Sequence, residues 1–380
     1  MSQPTTAALF RPITIGPLQL ANRVVMAPMT RSRSPGGVPD DDVATYYRRR
    51  AAGGVGLIIT EGTTIAHPGA SGYPAVPRFH GDDALAGWRK VVEAVHGVGG
   101  RIMPQLWHVG SVRQLGMEPD GTVPGYGPSA VVNPGVKRAA VSAAAPPAAP
   151  PEALTESDIA DLIAAFASAA RDAQRIGFDG VELHGAHGYL IDQFFWSATN
   201  LRTDKWGGDL AHRARFATEI VRAVRAAVGP EFPVIMRFSQ WKMGDYRHQV
   251  ATTPEALAVW LTPLADAGVS IFHASQRRFW EPEFPGSPLN LAGWTRKLLG
   301  LPCITVGAAG LSSDFISSFG GAEAEAASLD ELLTRLGRDE FDLVAVGRAL
   351  LADPEWANKV RDGRQTEIEL FTRAHLRAYP

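Results

Sequence analysis

Cysteine is nearly absent: among 380 residues only Cys303 carries a thiol. One thiol excludes an intramolecular disulfide and a four-cysteine iron–sulfur cluster. Charge of one sign is lacking too. Thirty-seven Lys and Arg against 39 Asp and Glu leave a formal charge of −2, which indicates neither a nucleic-acid surface nor an anionic membrane surface. No apolar run is long enough to span a bilayer. Met1 to Pro12 has no apolar core of signal-peptide length. Together these absences lead us to expect a cytoplasmic protein; as partners we expect small molecules, with no nucleic acid and no membrane, and the chain as a monomer or homodimer. Glycine is missing from one telling place, the turn Met26-Ala27-Pro28-Met29-Thr30 that follows the first strand-like run. A doubly wound dinucleotide-binding sheet normally carries a Gly-rich turn there.

What is present is a rhythm. Short apolar or β-branched runs recur at 23–27, 55–60, 101–106, 180–184, 234–238, 270–274, 303–306 and 343–346. They do not alternate strictly, as expected of parallel strands buried on both faces. Helical patterns lie between them at 42–52, 83–97, 155–176, 210–228 and from Thr253 to Gly268, with less regular segments after that. Thr155 stands three before Asp158 as an N-cap, and Gly177 is a natural stop. Pro254 suits a first helical position. Eight strand–helix units without a composition break predict one (β/α)8 TIM barrel domain over 1–380. Residues 10–20 read as a hairpin turning at Gly16-Pro17, a lid on the barrel's N-terminal end. The insertion 107–153 is rich in Gly, Pro and Ala, nearly low-complexity over 139–153, and reads as a cap on one end.

Active sites of such barrels form at the C-terminal ends of the strands. The predicted strands place Pro28-Met29-Thr30, Glu61-Gly62, Gln105-Leu106-Trp107-His108, the loop from His184 to Tyr189, Arg237, Gly307 and Gly347-Arg348 there. The glycines after the seventh and eighth strands matter for the ligand class. At that place barrels commonly hold a phosphate on backbone N–H groups and a helix N-terminus. Gly307, Ala308, Gly347 and Arg348 provide amides plus a cation, and so point to a phosphorylated ligand. The bland alternative is a tight turn that needs glycine. His184 and His187 are three apart, which also admits a metal. No obvious third ligand set accompanies them, so we expect no metal site. On residues alone, Tyr189 is a half-buried aromatic, Arg237 an internal ion pair, and Trp107 part of the core. Met29, Trp241, Phe279 and Trp280 lie on other strand-end loops and are candidates to shape the pocket. Arg277-Arg278-Phe279-Trp280 reads as a solvated loop in preference to a nicotinamide-phosphate contact.

Several of these segments resemble motifs of the Old Yellow Enzyme family. They are Asn22-Arg23-Val24-Val25-Met26-Ala27-Pro28-Met29-Thr30-Arg31, Gln105-Leu106-Trp107-His108, the run from His184 to Leu190, and Thr199-Asn200-Leu201-Arg202-Thr203-Asp204 with Gly207-Gly208. Arg237 and Val346-Gly347-Arg348 fit as well. Each match alone is weak; the ordered set, from about Leu9 to about Pro354, is specific. The resemblance implies non-covalent FMN and NADPH or NADH as reductant. It implies that Thr30 hydrogen-bonds the flavin C4 oxygen, with Ala27, Pro28, Met29 and Gly62 lining the ring. Gln105 would read the pyrimidine edge beside His184. Arg237 would stand near N1 and O2, where negative charge grows on reduction. Gly307, Ala308, Gly347 and Arg348 would hold the phosphate. His184 and His187 would grip the oxygen of a carbonyl or nitro group, Trp107 would wall the pocket, and Tyr189 would give a proton to the α-carbon.

The implied activity is thus an FMN-dependent ene-reductase. Other readings stay open: a dienoyl-CoA or amine-dehydrogenase relative, a flavin-binding protein without turnover, and a metal-dependent hydrolase. The single cysteine and the end at Pro380 weigh against the first. The chain also departs from the family pattern. Ser111 stands where many relatives have arginine, His187 is asparagine in some, and Thr30 is cysteine in another branch.

Overall fold

The computed structural model describes residues 6–135, 148–314 and 325–379. Strands β1 (Ile13–Ile15) and β2 (Leu18–Leu20) form an antiparallel hairpin. It turns at Gly16, whose φ of 55° lies in the left-handed region that glycine enters without strain. Then come β3 (Val24–Met26), β4 (Leu57–Thr64) and β5 (Ile102–Trp107). Short β6 (Tyr126–Gly127) and β7 (Glu152–Ala153) pair with each other. The remaining strands are β8 (Val181–His187), β9 (Val234–Lys242), β10 (Ile271–Ser275), β11 (Cys303–Val306) and β12 (Leu343–Val346). Apart from β1, β2, β6 and β7, all close into one parallel barrel in chain order, with β12 meeting β3 through Val344↔Val24. The fold is a (β/α)8 barrel.

The expected strands are found, but β4, β5, β8, β9 and β10 run one to four residues further at their C-terminal ends. Two ladders shift register there, between Ile59 and Gly62 and between Gly185 and His187, and pairing then resumes at Gly62↔Gln105 and His187↔Lys242. Such bulges re-aim side chains at a barrel mouth and leave no trace in hydrophobic alternation. Helix starts follow their caps. Thr155 Oγ1 accepts from Asp158 N at 3.2 Å while Asp158 Oδ2 accepts from Thr155 N at 2.8 Å, and Gly177 ends that helix at φ 97°. The helix expected over 210–228 is in two pieces, Leu210–Arg213 and Arg215–Val228, meeting at Ala214. No helix among the described residues is long and apolar enough to cross a membrane.

The barrel interior is built in layers. Leu57, Met103, Ile235, Ile271, Ile304 and Leu343 form one buried apolar cluster with Ile15, Leu18 and Leu20 of the hairpin. Leu18 and Gln19 lie beside Arg101, Asp179 and Pro233, so the hairpin crosses the N-terminal ends of β5, β8 and β9. Inward positions recur every second residue of a strand. Two residues past Met103, Ile235 and Ile271 come Gln105, Arg237 and His273, joined by Glu182 on β8. The interior thus turns from apolar to polar along the barrel axis. Of the insertion, residues 136–147 lie outside the described residues. Its Val109 and Val112 pack with Val76, Trp107 and Tyr189 at the mouth.

Candidate active site

A cavity of about 430 Å³ opens at the C-terminal ends of the barrel strands. Ala27, Pro28, Met29 and Thr30 line it from beyond β3, Gly62 from β4, and Gln105 and Trp107 from β5. His184, His187 and Tyr189 enter from β8 and its loop, and Arg237 from β9. Gly307 and Ala308 follow β11; Gly347 and Arg348 follow β12. The sequence-predicted site residues are therefore gathered around one space.

The floor of the cavity is a chain of buried polar groups. Gln105 Nε2 donates to Glu182 Oε1 at 2.7 Å, and Glu182 Oε2 is 2.6 Å from His273 Nδ1. Arg237 pairs with His273 in the β9–β10 register, and its Nη2 reaches Ser275 Oγ at 3.4 Å. Its Nε is buried with no hydrogen-bond partner among the described residues. Burial pulls the Arg237 guanidinium below its ordinary value, and Glu182 opposes that pull. Buried polar groups are normally paired, so an orphan donor on a buried cation marks a place for an acceptor.

Above the floor stand the imidazoles and a phenol. The His184 ring centroid is 5.2 Å from that of His187 and 5.0 Å from that of Tyr189. Trp107 meets Tyr189 edge-on at 4.9 Å. Burial first, then the Arg237 charge, push both histidines well below the ordinary imidazole value, so both are neutral at pH 7. His184 Nδ1 accepts from Ala186 N at 3.3 Å, which puts the ring proton on Nε2. His187 Nε2 lies 2.8 Å from Ser275 Oγ, and the ring stacks on Trp241 at 4.3 Å. Burial raises the Tyr189 phenol well above its ordinary value, so it keeps its proton. Tyr189 Oη is 3.0 Å from Tyr73 Oη.

The loop carrying these groups is anchored by hydrogen bonds. His187 and Gly188 both have positive φ, 67° and 81°. A non-glycine residue holds that conformation only when its surroundings impose it. Gly188 N donates to Asp192 Oδ2 at 2.7 Å, Gly188 O accepts from Gln193 Nε2 at 2.7 Å, and Met243 N donates to His187 O at 3.2 Å. Asp192 is in turn ion-paired to Lys242, both side chains being fully buried.

Residues 8–318 match the NADH:flavin oxidoreductase / NADH oxidase family. The chain belongs to the Old Yellow Enzyme family. It is 36% identical over 371 residues to an NADH oxidase of Thermoanaerobacter brockii, covering 95% of this chain and 52% of that protein. It is 34% identical over 348 residues to 12-oxophytodienoate reductase 2 of Arabidopsis thaliana, 91% of this chain and 86% of that one. A solved structure of morphinone reductase in complex with tetrahydroNAD superposes with a TM-score of 0.76 at 33% identity, over 98% of this chain and 97% of that one. The chain spans about half the length of several curated relatives that it matches, the NADH oxidase among them.

The family's flavin, FMN, is the cofactor of this Old Yellow Enzyme member, and the cavity has the chemistry for it. The Arg237 Nε without a partner suits an anionic or carbonyl edge. Gln105 commits one N–H to Glu182 and keeps its carbonyl oxygen as an acceptor. At Gly62 a Cβ would come within 2.5 Å of Trp107 Cε3, so only glycine lets that indole lie there. At the other end Gly307 has φ 143° and Ala308 φ 55°, a tight turn beside Arg348. Burial lowers Arg348 to about 10, which still leaves it a cation at neutral pH.

Some expectations are corrected. Phe279 is buried in the outer core with Trp280 packed against that core, and neither lines the cavity, whereas Met29 and Trp241 do. Arg277 is no solvated side chain: it lines the cavity and bridges to buried Asp314 at 3.1 Å. Ser111, standing in the place of the usual arginine, is buried. Its N–H donates to Gln193 Oε1 at 3.0 Å and its Oγ accepts from Asn133 Nδ2 at 3.1 Å. That residue ties the insertion to the 190–195 helix and does not line the cavity.

Sequence reasoning missed Glu182, His273, Tyr73, Ser275 and Met243. It also missed Phe371, Arg373 and Leu376, which bring the C-terminal segment to the cavity. One signal was available for Glu182. It stands two before His184 on a strand, and so on the same face.

Proposed function

We propose that the chain is an NAD(P)H-dependent reductase of alkenes activated by a carbonyl or nitro group. What carries the proposal is one wall of the cavity, where the neutral imidazole of His187 and the protonated phenol of Tyr189 flank the neutral imidazole of His184, with ring centroids 5.2 and 5.0 Å from it. The names of the relatives, reductases and an NADH oxidase, and the tetrahydroNAD held by morphinone reductase point the same way.

Bound and reduced, FMN supplies a hydride. The protein's own residues do the rest. His184 and His187 hold the oxygen of the electron-withdrawing group, His184 from its Nε2–H. Neutral donors polarise that oxygen without placing a second charge next to Arg237. Electron density drawn toward the oxygen leaves the β-carbon open to hydride. Tyr189 then gives its phenolic proton to the α-carbon. Trp107, edge-on to Tyr189, bounds the space between them. Arg237 and Gln105 hold the flavin's polar edge, and Gly307, Ala308, Gly347 and Arg348 its phosphate.

The test is a pair of half-reactions. The FMN-loaded protein should be yellow, bleach on mixing with NADH or NADPH, and regain its colour with an enone, nitroalkene or enoate. Comparing the two nicotinamides gives the preferred reductant. A protein that takes up no FMN, or a bleached form that recovers with oxygen but with no alkene of such a panel, would sink the proposal.

A further inference from the structure

A buried acid that gives its proton away must get it back. Tyr189 is 8% exposed, and its hydroxyl has two close neighbours among the described residues. One is Met243 Sδ at 4.0 Å, a thioether with no proton to give. The other is the hydroxyl of Tyr73 at 3.0 Å. Tyr73 comes from the loop after β4, is half-buried, lines the same cavity, and stacks on Trp107 at 5.4 Å with 23° between planes. His184 is another side chain with a proton beside the phenol. Its ring proton is on Nε2, where the substrate oxygen would take it.

We propose that Tyr73 is the second member of a proton relay, handing its phenolic proton to Tyr189 as Tyr189 protonates the α-carbon. This rests on the reading of Tyr189 as the proton donor. The balance is simple. The nicotinamide supplies the two electrons, which reach the β-carbon as hydride. The O–H bond of Tyr189 breaks as a C–H bond forms at the α-carbon. The O–H bond of Tyr73 breaks as that of Tyr189 re-forms, and water at the cavity mouth returns a proton to Tyr73. Burial lifts both phenols, so both keep their protons at neutral pH and are ready to pass them on. A Tyr73 O–H aimed at the oxygen of Tyr189 also stabilises the negative charge that develops there.

The test uses FMN-loaded enzyme, pre-reduced with NAD(P)H and mixed with 2-cyclohexenone in a stopped-flow instrument. Four forms are compared: wild type, Tyr73→Phe, Tyr189→Phe and the double variant. Phenylalanine keeps the stack on Trp107 and removes one hydroxyl. A hydrogen bond to a developing charge sets the scale, so Tyr73→Phe should slow reoxidation of the flavin by roughly ten- to a hundred-fold. In the Tyr189→Phe background it should cost nothing further, because the relay has lost its receiver. Wild-type rates in mixed light and heavy water should bend as two protons move together, and those of Tyr73→Phe should fall on a straight line.

A Tyr73→Phe rate within two-fold of wild type overturns the relay. So does an equal loss in both backgrounds, which would mean that Tyr73 acts on the substrate itself. A straight line for the wild type overturns it without any variant. A fast Tyr189→Phe enzyme removes the underlying reading, and is distinguished because Tyr189 is then dispensable whatever Tyr73 does.

Discussion

At the N-terminal end of the barrel the inward positions are Leu57, Met103, Ile235, Ile271, Ile304 and Leu343, closed off by the hairpin. Two residues past Met103, Ile235 and Ile271, on three of those strands, they are Gln105, Arg237 and His273, with Glu182 beside them. The lower layer needs nothing but shape, and dispersion and water exclusion hold it. The upper layer is costly to bury. Most of its groups are paired within it, yet Arg237 Nε and His273 Nε2 have no hydrogen-bond partner among the described residues. Eight parallel strands thus supply a stabilising end and a reactive end from one repeating geometry. The two should fail separately when either is cut.

The sharpest way to break the comparison is at the reactive end. Tyr189→Phe should lower the rate of alkene reduction by about 10²- to 10⁴-fold, the usual worth of a positioned proton donor. Flavin reduction by NAD(P)H should change far less, because hydride leaves the nicotinamide without a proton from the enzyme. Equal losses in both half-reactions, measured by stopped-flow absorbance, would remove Tyr189 from its role. The counterpart cut is Ile271→Ala in the apolar layer, where the side chain is fully buried. It should lower unfolding stability by about 2–5 kcal/mol, through lost transfer energy plus a cavity. FMN affinity of the folded protein should stay within a few-fold. A large loss of FMN affinity there would show that the layers are coupled.

The same contrast explains what was legible in the sequence. The lower layer is carried by short apolar runs, whose recurrence between helical patterns locates the strands, and every barrel strand was found. The mouth was legible where site residues are neighbours in sequence, as in His184-Gly-Ala-His-Gly-Tyr189. It was illegible where folding brings them from afar. Tyr73 sits in a loop without periodicity, and Phe371 and Leu376 come from a C-terminal segment with no helical or strand pattern. Ser275 was lost because the expected strand ended one residue early. Glu182 shares the strand face of His184, but its role shows only once Gln105 and His273 are seen to flank it.

Arg237→Met probes the polar layer without removing much volume. A charge-assisted hydrogen bond contributes about 1.5–3 kcal/mol. FMN binding should therefore weaken by roughly ten- to a hundred-fold, read from quenching of flavin fluorescence on reconstitution. The reduced flavin should suffer more than the oxidised one, because a cation favours the form that carries negative charge. FMN affinity equal to wild type in both redox states would place the unpaired Nε outside the cofactor site.

The smallest effect is one of pH, and it belongs to the polar end alone, since the apolar cluster contains no titratable side chain. Burial holds His184, His187 and His273 below the ordinary imidazole value, with Arg237 adding to the effect at each. A histidine depressed in the folded state binds fewer protons than it does in the unfolded chain. The associated stability is whole above the unfolded value of about 6.5 and is lost as the pH falls below it. Glu61, raised by burial to about 7, Glu283, also to about 7, and Asp192, to about 6, act in the opposite sense over the same range. The wild-type slope is therefore a net of both. His187→Asn removes one histidine from it and leaves those three acids in place. Between pH 7 and pH 5 the variant should lose less Tm than the wild type. The difference is at most about 1.4 kcal/mol per pH unit, or about 2 °C in a protein of this size. Parallel Tm curves would mean that His187 titrates in the folded protein as it does in the unfolded chain; a variant that loses more Tm than the wild type would mean that His187 is protonated when folded, and the neutral grip on the substrate oxygen would have to be abandoned.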